Sequence, residues 1–487
     1  MINPVVILRL LAALLIVIAL FMGTSIIWAF TSGEHAVVFA FAVPVVATIL
    51  VATIVLLVTG RLQRKRPSLT TRDGFIFVSL AWLSASVIGA IPFLLSGATT
   101  TFVDALFETM SGFTTTGASI FSEIEGLPRA ILWWRSLTHW LGGMGIIVLT
   151  VAILPLLGVG GLQLIRAEAP GPTVDRLTPK IAGTAKILWV TYIAMSALQT
   201  VLLLFGGMDL FDSLTHTFGT VATGGFSPRN ASVGAYNSAY IDVVITVFMV
   251  AAGINFVTYF KVVTGRLDAV WRDGELRSYL LIFASASVAT AISLQRSGFG
   301  SFGRSLRYGA FQSASILTTT GYATDDFAVW PALAQVTLFV LMFIGGCSGS
   351  TGGGIKVVRI ITLVKQGFNE MRYLVHPSGV FPVRLSGKRV EHKIVYAISG
   401  FVLLYLSILL VTAVVVATAG NDILTSLTTA LVTLGNIGPG FGAVGPTMNY
   451  GFLPDYLKLF LSMVMMIGRL EVYTVLVILT PLFWRRQ

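Results

Sequence analysis

Four short glycine-terminated segments recur about a hundred residues apart, between long apolar runs: Thr114-Thr115-Thr116-Gly117, Ala222-Thr223-Gly224-Gly225, Thr318-Thr319-Thr320-Gly321 and Gly435-Asn436-Ile437-Gly438. With the residues before them they read ALFETMSGFTTTG, SLTHTFGTVATGG, GAFQSASILTTTG and SLTTALVTLGNIG. The likeness therefore reaches about two helical turns upstream of each glycine, which marks an internal repeat. Small, carbonyl-rich segments at membrane depth can meet around one axis and present rings of backbone oxygen, which strip a cation of water and select it. Non-helical backbone survives at that depth only where protein or water surrounds it, so four such units must pack about a water-filled axis.

Composition places these segments in a bilayer. The 487 residues are 55% hydrophobic and 11% charged, and many apolar runs approach the 20 or so residues that a helix needs to span the hydrocarbon core. Membrane helices are expected at about 5–31, 36–59, 73–96, 131–157, 186–206, 239–263, 277–295, 332–362, 393–419 and 456–483. The first run carries Arg9 and no small-residue cleavage pattern, and reads as a membrane helix rather than a signal peptide. The expected fold is an all-α polytopic membrane protein: four helix–pore loop–helix repeats around one pore, plus an extra N-terminal helix pair. The units are 1–68 for the helix pair and 69–160, 184–266, 274–372 and 390–487 for the repeats. A single cysteine, Cys347, excludes an intramolecular disulfide and a cysteine-based metal cluster.

A net charge of +11 would suggest nucleic acid in a soluble chain, but its placement points elsewhere. Arg61, Arg64, Lys65, Arg66 and Arg72 fall between the second and third apolar runs, and Arg166, Arg176, Lys180 and Lys186 between the fourth and fifth. Lys261, Arg266, Arg272 and Arg277 follow the sixth, a further basic stretch runs from Lys356 to Lys393, and Arg485-Arg486 close the chain. Alternate loops are thus basic, which by the positive-inside rule makes them cytoplasmic and places both termini inside. The opposite loops carry Asp104, Glu108, Glu123, Glu125, Asp209, Asp212, Asp325, Asp326, Asp422 and Asp455. As a set they are expected to form a negative outer mouth that concentrates cations.

Helix start signals support short helices before three of the four segments: Thr101 with Asp104, Asp209 with Asp212, and Asn421-Asp422. Such helices would aim their negative C-terminal ends at the axis. The third unit has Arg304 and Arg307 where that signature is expected. Terminal glycines fit a chain whose backbone must alternate in hand to turn successive carbonyls toward one axis, because glycine reaches positive φ without steric cost.

Two features lie outside the repeats. Residues 344–356 hold six glycines among thirteen, Gly345, Gly346, Gly349, Gly352, Gly353 and Gly354, inside an apolar run. Each costs about 1 kcal/mol in a helix interior relative to alanine, so the helix must break there. A phosphate-binding loop does not fit, since no Ser or Thr follows Lys356 and no strand precedes the loop. Arg469 interrupts the last apolar run, where an ionisable side chain faces the bundle interior or a water cavity, either in a functional role or in a structural one, as a pair with Glu471 or a subunit contact. Arg135 and His139 are expected at the membrane interface.

At these four segments the sequence resembles the Trk/Ktr/HKT superfamily of potassium transporters, and in particular bacterial Trk-type uptake proteins. The resemblance covers the chain from about residue 70 onward, and the additional first helix pair is similar to that of the TrkH branch. It implies potassium as the permeant ion, bound by backbone oxygens of residues 114–117, 222–225, 318–321 and 435–438. It also implies a homodimer with one complete pore per protomer, in the bacterial inner membrane, with a cytosolic TrkA-like regulatory ring that binds nucleotides. By the same resemblance the glycine-rich loop is a gate beneath the filter, and Arg469 projects into the permeation path beside it. Serine at the first filter glycine would favour sodium in plant members, so Gly117 argues for potassium. Ala222, Gly224 and most of the fourth segment before Gly438 depart from the pattern, which bears on the symmetry of the oxygen ring more than on its selectivity. A secondary transporter that couples potassium to protons or sodium is the alternative, and would need carboxylates buried beside the ion. A membrane enzyme would need clustered His, Asp or Glu at membrane depth, which the sequence lacks.

Overall fold

Apolar runs free of glycine-rich breaks form single helices of 21 to 28 residues, long enough to cross a bilayer: Pro4–Thr31, His35–Arg61, Thr71–Leu95, Ala185–Phe205, Gly274–Arg296 and His392–Ala417. The computed structural model describes residues 2–62, 70–145 and 181–485. Arg64, Lys65, Arg66, Arg166, Arg176, Lys180, Arg486 and the end of the expected 131–157 helix lie outside them. Outward faces carry exposed aliphatics such as Leu50, Ile54, Leu57, Leu410 and Val414, as a lipid-facing surface requires.

Each repeat is a long helix, a short pore helix, an extended segment and an outer helix. The pore helices are Phe102–Phe113, Leu210–Val221, Phe302–Leu317 and Ile423–Leu434. Thr101 accepts from the amide of Asp104 at 3.1 Å and Asp209 from that of Asp212 at 2.6 Å, while Asp422 occupies the fourth N-cap. The third pore helix is also capped, contrary to the sequence expectation: Ser301 accepts from the amide of Arg304. Its arginine has a different task, since Arg307 pairs with Asp242 of the second outer helix at 3.4 Å. Lys458 and Asp104, 2.6 Å apart, join the fourth outer helix to the first pore helix in the same way.

The N-terminal pair, Pro4–Thr31 and His35–Leu62, packs on repeat 1. Between its helices Glu34 accepts from the amides of Arg129 and Ala130, and so caps an outer helix that has no side-chain cap of its own.

All four outer helices stop at equivalent points, where one break was expected. The first ends at Gly143. The expected 239–263 helix is two, Ala239–Ala252 and Phe256–Val263, meeting at 96° with Asn255 capping the second. The expected 332–362 helix divides, as anticipated, into Ala332–Leu341 and Val357–Val375 around the glycine-rich loop. Asp455–Arg469 and Tyr473–Leu479 meet at 118° through Glu471 and Val472, both at positive φ. Gly253 and Asn255 at the second bend, and Gly468, Arg469 and Glu471 at the fourth, lie in runs otherwise apolar enough to read as single helices, which hid both bends in the sequence.

Close approach of outer and pore helices depends on two glycines. A Cβ on Gly142 would come within 1.9 Å of the carbonyl oxygen of Phe113, and one on Gly468 within 2.0 Å of that of Leu434. Phe113 and Leu434 are the last residues of their pore helices. Gly142→Ala or Gly468→Ala should therefore push a pore helix out of place and cost about 1 to 3 kcal/mol. Thermal unfolding in detergent measures it; exposed Gly367→Ala, with nothing near its Cα, is the control.

Candidate functional site

The four glycine-terminated segments share one backbone conformation. In each, the second residue and the terminal glycine have positive φ: Thr115 and Gly117 at 53° and 80°, Thr223 and Gly225 at 55° and 81°, Thr319 and Gly321 at 60° and 81°, Asn436 and Gly438 at 55° and 93°. The left-handed second residue ends the pore helix. Its amide bonds back to Gly112, Thr220, Ile316 and Thr433 respectively, and the third amide reaches Ser111, Gly219, Ser315 and Val432. This paired closure is a Schellman motif, in which glycine is usual at the left-handed position. Threonine there three times over is the feature that the sequence did not disclose, because a β-branched residue at positive φ is disfavoured by about 1 to 3 kcal/mol.

With three amides of each segment committed to its own pore helix, the segments pack edge to edge. A Cβ on Gly117 would meet the carbonyl oxygen of Gly224 at 2.2 Å, one on Gly225 that of Thr320 at 1.9 Å, one on Gly321 that of Ile437 at 2.1 Å, and one on Gly438 that of Thr116 at 2.6 Å. Each glycine thus abuts the third residue of the next segment, and the fourth returns to the first. The sixteen residues form a closed ring in chain order.

Around the ring, side chains fix the segments. Thr114 and Thr116 pair through their hydroxyls at 2.8 Å, as do Thr318 and Thr320 at 2.7 Å. Asn436 donates to Thr116 Oγ1 and to the carbonyl of Met465. Tyr322 donates to the carbonyls of His216 and Phe226, and Tyr450 to that of Gly438.

Arg135 and His139 lie behind the ring and not at the membrane interface where they were expected. Arg135 is 2% exposed, 2.6 Å from Glu108, donates to the carbonyl of Ser227 and lies over the Phe226 ring at 3.6 Å. His139 stacks on Phe226, with Nδ1 2.7 Å from the carbonyl of Gly112. An ionisable group in an apolar run was the signal for this role. The acidic set divides accordingly: Glu108 is buried against Arg135 and Asp212 against Arg229, Asp104 is half-buried against Lys458, and Glu123, Glu125, Asp209, Asp422 and Asp455 are exposed.

The glycine-rich loop leaves the third outer helix at Ile344 and returns beside it at Ile355, with Gly345 donating to the carbonyl of Ile355 at 2.8 Å. Between these points it lies against the ring. Gly353 N donates to Thr319 Oγ1 at 2.7 Å, and a Cβ on Gly353 would come within 2.4 Å of the carbonyl oxygen of Gly435. One on Gly352 would be 3.0 Å from that of Thr318. Cys347 N bonds the carbonyl of Gly253, Phe256 N that of Gly349, and Thr351 Oγ1 those of Val221 and Ala252. Gly346 accepts from Val357, Gly354 is left-handed at 63°, and Lys356 donates to Gly352.

Arg469 stands at the bend of the last outer helix and reaches this loop. It donates to the carbonyl of Thr351 at 2.7 Å and to those of Gly142 and Gly143 at 2.8 and 3.1 Å. The carboxylate of Glu471 is held by Arg359.

A family model described as TrkH, a cation transport protein, matches residues 42–484. The chain belongs to the TrkH family of cation transport proteins. It is 41% identical over 427 residues to the Trk system potassium uptake protein TrkH of Escherichia coli K12, covering 87% of this chain and 88% of that one. It is 35% identical over 482 residues to TrkI of Halomonas elongata, covering 99% and 97%. The crystal structure of the potassium transporter TrkH from Vibrio parahaemolyticus superposes with a TM-score of 0.88 at 35% identity, over 99% of this chain and all of that one.

Within this family fold the strained threonines are not equivalent. Thr115 Oγ1 has no hydrogen-bond partner among the described residues, whereas Thr319 Oγ1 receives the loop amide of Gly353. Thr115→Gly should be neutral or stabilising by up to about 1 kcal/mol, since glycine relieves the left-handed strain. Thr319→Gly should be destabilising by comparison, because it leaves a buried amide without its acceptor. Melting temperatures of the two variants decide between them.

Proposed function

We propose that this chain takes up potassium across the bacterial inner membrane by channel-like conduction, with both termini cytoplasmic. Selection takes place at the ring formed by residues 114–117, 222–225, 318–321 and 435–438. The observation that carries this reading is the closed ring itself: the first three amides of each segment turn back into its pore helix, which leaves carbonyl oxygen as the main chemistry available to a permeating cation. The pore helices end at the ring and bring the negative ends of their dipoles to it, which favours a cation there. An inside-negative potential supplies about 2.3 kcal/mol per 100 mV for each cation moved inward, so the uptake needs no further chemistry in this chain.

The loop with Gly345, Gly346, Gly349, Gly352, Gly353 and Gly354 is the gate in this reading, and Arg469 adds a positive barrier beside it. Support comes from the contacts of the loop with repeats 2, 3 and 4, and through Arg469 with repeat 1. Control by a cytosolic, TrkA-like nucleotide-binding ring belongs to the same proposal, as does a homodimer. The exposed basic residues Arg372, Arg384, Arg389 and Lys393 offer an acidic partner a surface. Coupled transport is less well supported, because Glu108 and Asp212, the buried carboxylates of the first and second pore helices, are committed to arginines.

Gly117→Ser should lower the potassium-to-sodium permeability ratio by about tenfold, roughly 1.4 kcal/mol, since its Cβ displaces the carbonyl of Gly224. Bi-ionic reversal potentials measure it, and an unchanged ratio in a folded variant removes the ring from selection. Arg469→Ala, or a loop shortened between Gly345 and Gly354, should raise potassium flux into liposomes without any partner by about tenfold, the loss of roughly 1.4 kcal/mol of barrier. If neither conducts faster than the parent, the gate lies elsewhere.

A further inference from the structure

Two arms of the glycine-rich loop converge on a single carboxylate that belongs to a different helix. Glu275 Oε1 accepts from the amide of Ser348 at 2.7 Å and from that of Val358 at 3.2 Å. Ser348 lies in the outgoing arm of the loop. Val358 lies in the first turn of Val357–Val375, the helix into which the loop returns. That helix has no side-chain cap of its own, since its N-cap residue is Lys356. Glu275 therefore caps it from outside, and the same oxygen holds the loop.

The geometry suits a clasp. Glu275 sits in the first turn of Gly274–Arg296, where its own amide donates to Asp273 Oδ1 at 2.9 Å, so the carboxylate is carried on a capped, regular element. A carboxylate that accepts backbone amides makes charge-assisted bonds, and a helix N-terminus adds its positive dipole. Most other bonds of the loop to its surroundings are neutral: Cys347 to Gly253, Thr351 to Val221 and Ala252, and Gly353 to Thr319. The loop is held at Thr351 by Arg469 and at Ser348 by Glu275. Withdrawal of the loop must break the Ser348 bond, whereas the Val358 bond can persist, because it belongs to the helix about which the loop would turn.

We propose that Glu275 is a positioning residue that clasps the glycine-rich loop across the inner side of the ring, and that release of Ser348 from this carboxylate is a step of opening. This rests on the reading of the loop as the gate. Cys347, the one cysteine of the chain, neighbours Ser348 and is 2% exposed, so its modification, read together with flux and with the charge-keeping Glu275→Asp variant, reports the release.

The full chain in proteoliposomes would be treated with a small methanethiosulfonate reagent, and the rate of Cys347 modification followed beside partner-free potassium flux. Glu275→Gln, which keeps the shape and removes the charge, should raise both on the order of tenfold. Glu275→Asp, which keeps the charge but shortens the reach, should fall between parent and Gln. The potassium-to-sodium ratio should stay at the parental value in both, a result that general loosening of the fold would not give. Arg469→Ala serves as the independent opener. If it raises flux and Cys347 modification while Glu275→Gln and Glu275→Asp behave as the parent, the clasp is refuted and the gate stands. A changed ion ratio in the Glu275 variants refutes the clasp as well. If Arg469→Ala also leaves both readouts unchanged, the gate reading falls and the clasp with it.

Discussion

The structure turns on how a helix is ended at membrane depth. Where no water reaches, every amide of an interrupted helix must find a carbonyl within the protein. The four pore helices meet this demand by closing on themselves: a left-handed second residue folds the chain back so that successive amides of the segment bond the last turn. One conformational choice, repeated four times, satisfies the donors and leaves the acceptors of the segment available. The terminal glycines follow from it, because segments bent in this way can close a ring only if each Cα lies against the next segment's carbonyl.

Residues of the second position carry the cost. Thr115, Thr223, Thr319 and Asn436 hold a left-handed conformation that glycine would adopt more readily. Strain of this kind persists where surrounding structure over-determines it. At two of the four the side chain has a clear use. Thr319 receives the amide of Gly353, and Asn436 joins the first segment to the fourth outer helix. The ring and the glycine-rich loop are thereby one hydrogen-bonded assembly.

Charge within the membrane is arranged by pairing. Glu108 with Arg135, Asp212 with Arg229 and Asp242 with Arg307 tie pore helices to neighbouring elements. Breaking such a pair costs more than forming it gains, since the remaining partner is left buried and unpaired. For Arg469 the partners identified are carbonyl oxygens, on the loop and on repeat 1, so it ties the last outer helix to both.

The sequence by itself determined the membrane class, the fourfold repeat, the four terminal glycines and the break at residues 344–356. Each of these is written in local composition: apolar length, a recurring glycine, a cluster of helix breakers. The cap of the third pore helix was also local, yet the arginines after Ser301 obscured it. Tertiary structure alone decided the rest. The left-handed threonines run against local preference and are held by the ring they help to close. The bends after Ala252 and Arg469 lie in runs apolar enough overall to read as single helices, and only the fold shows that they break. Arg135 lies behind the ring because Glu108, twenty-seven residues earlier, is brought against it by the packing of two helices. Residues whose role is set by a partner distant in the chain leave no mark in local composition, and only the fold brings them together.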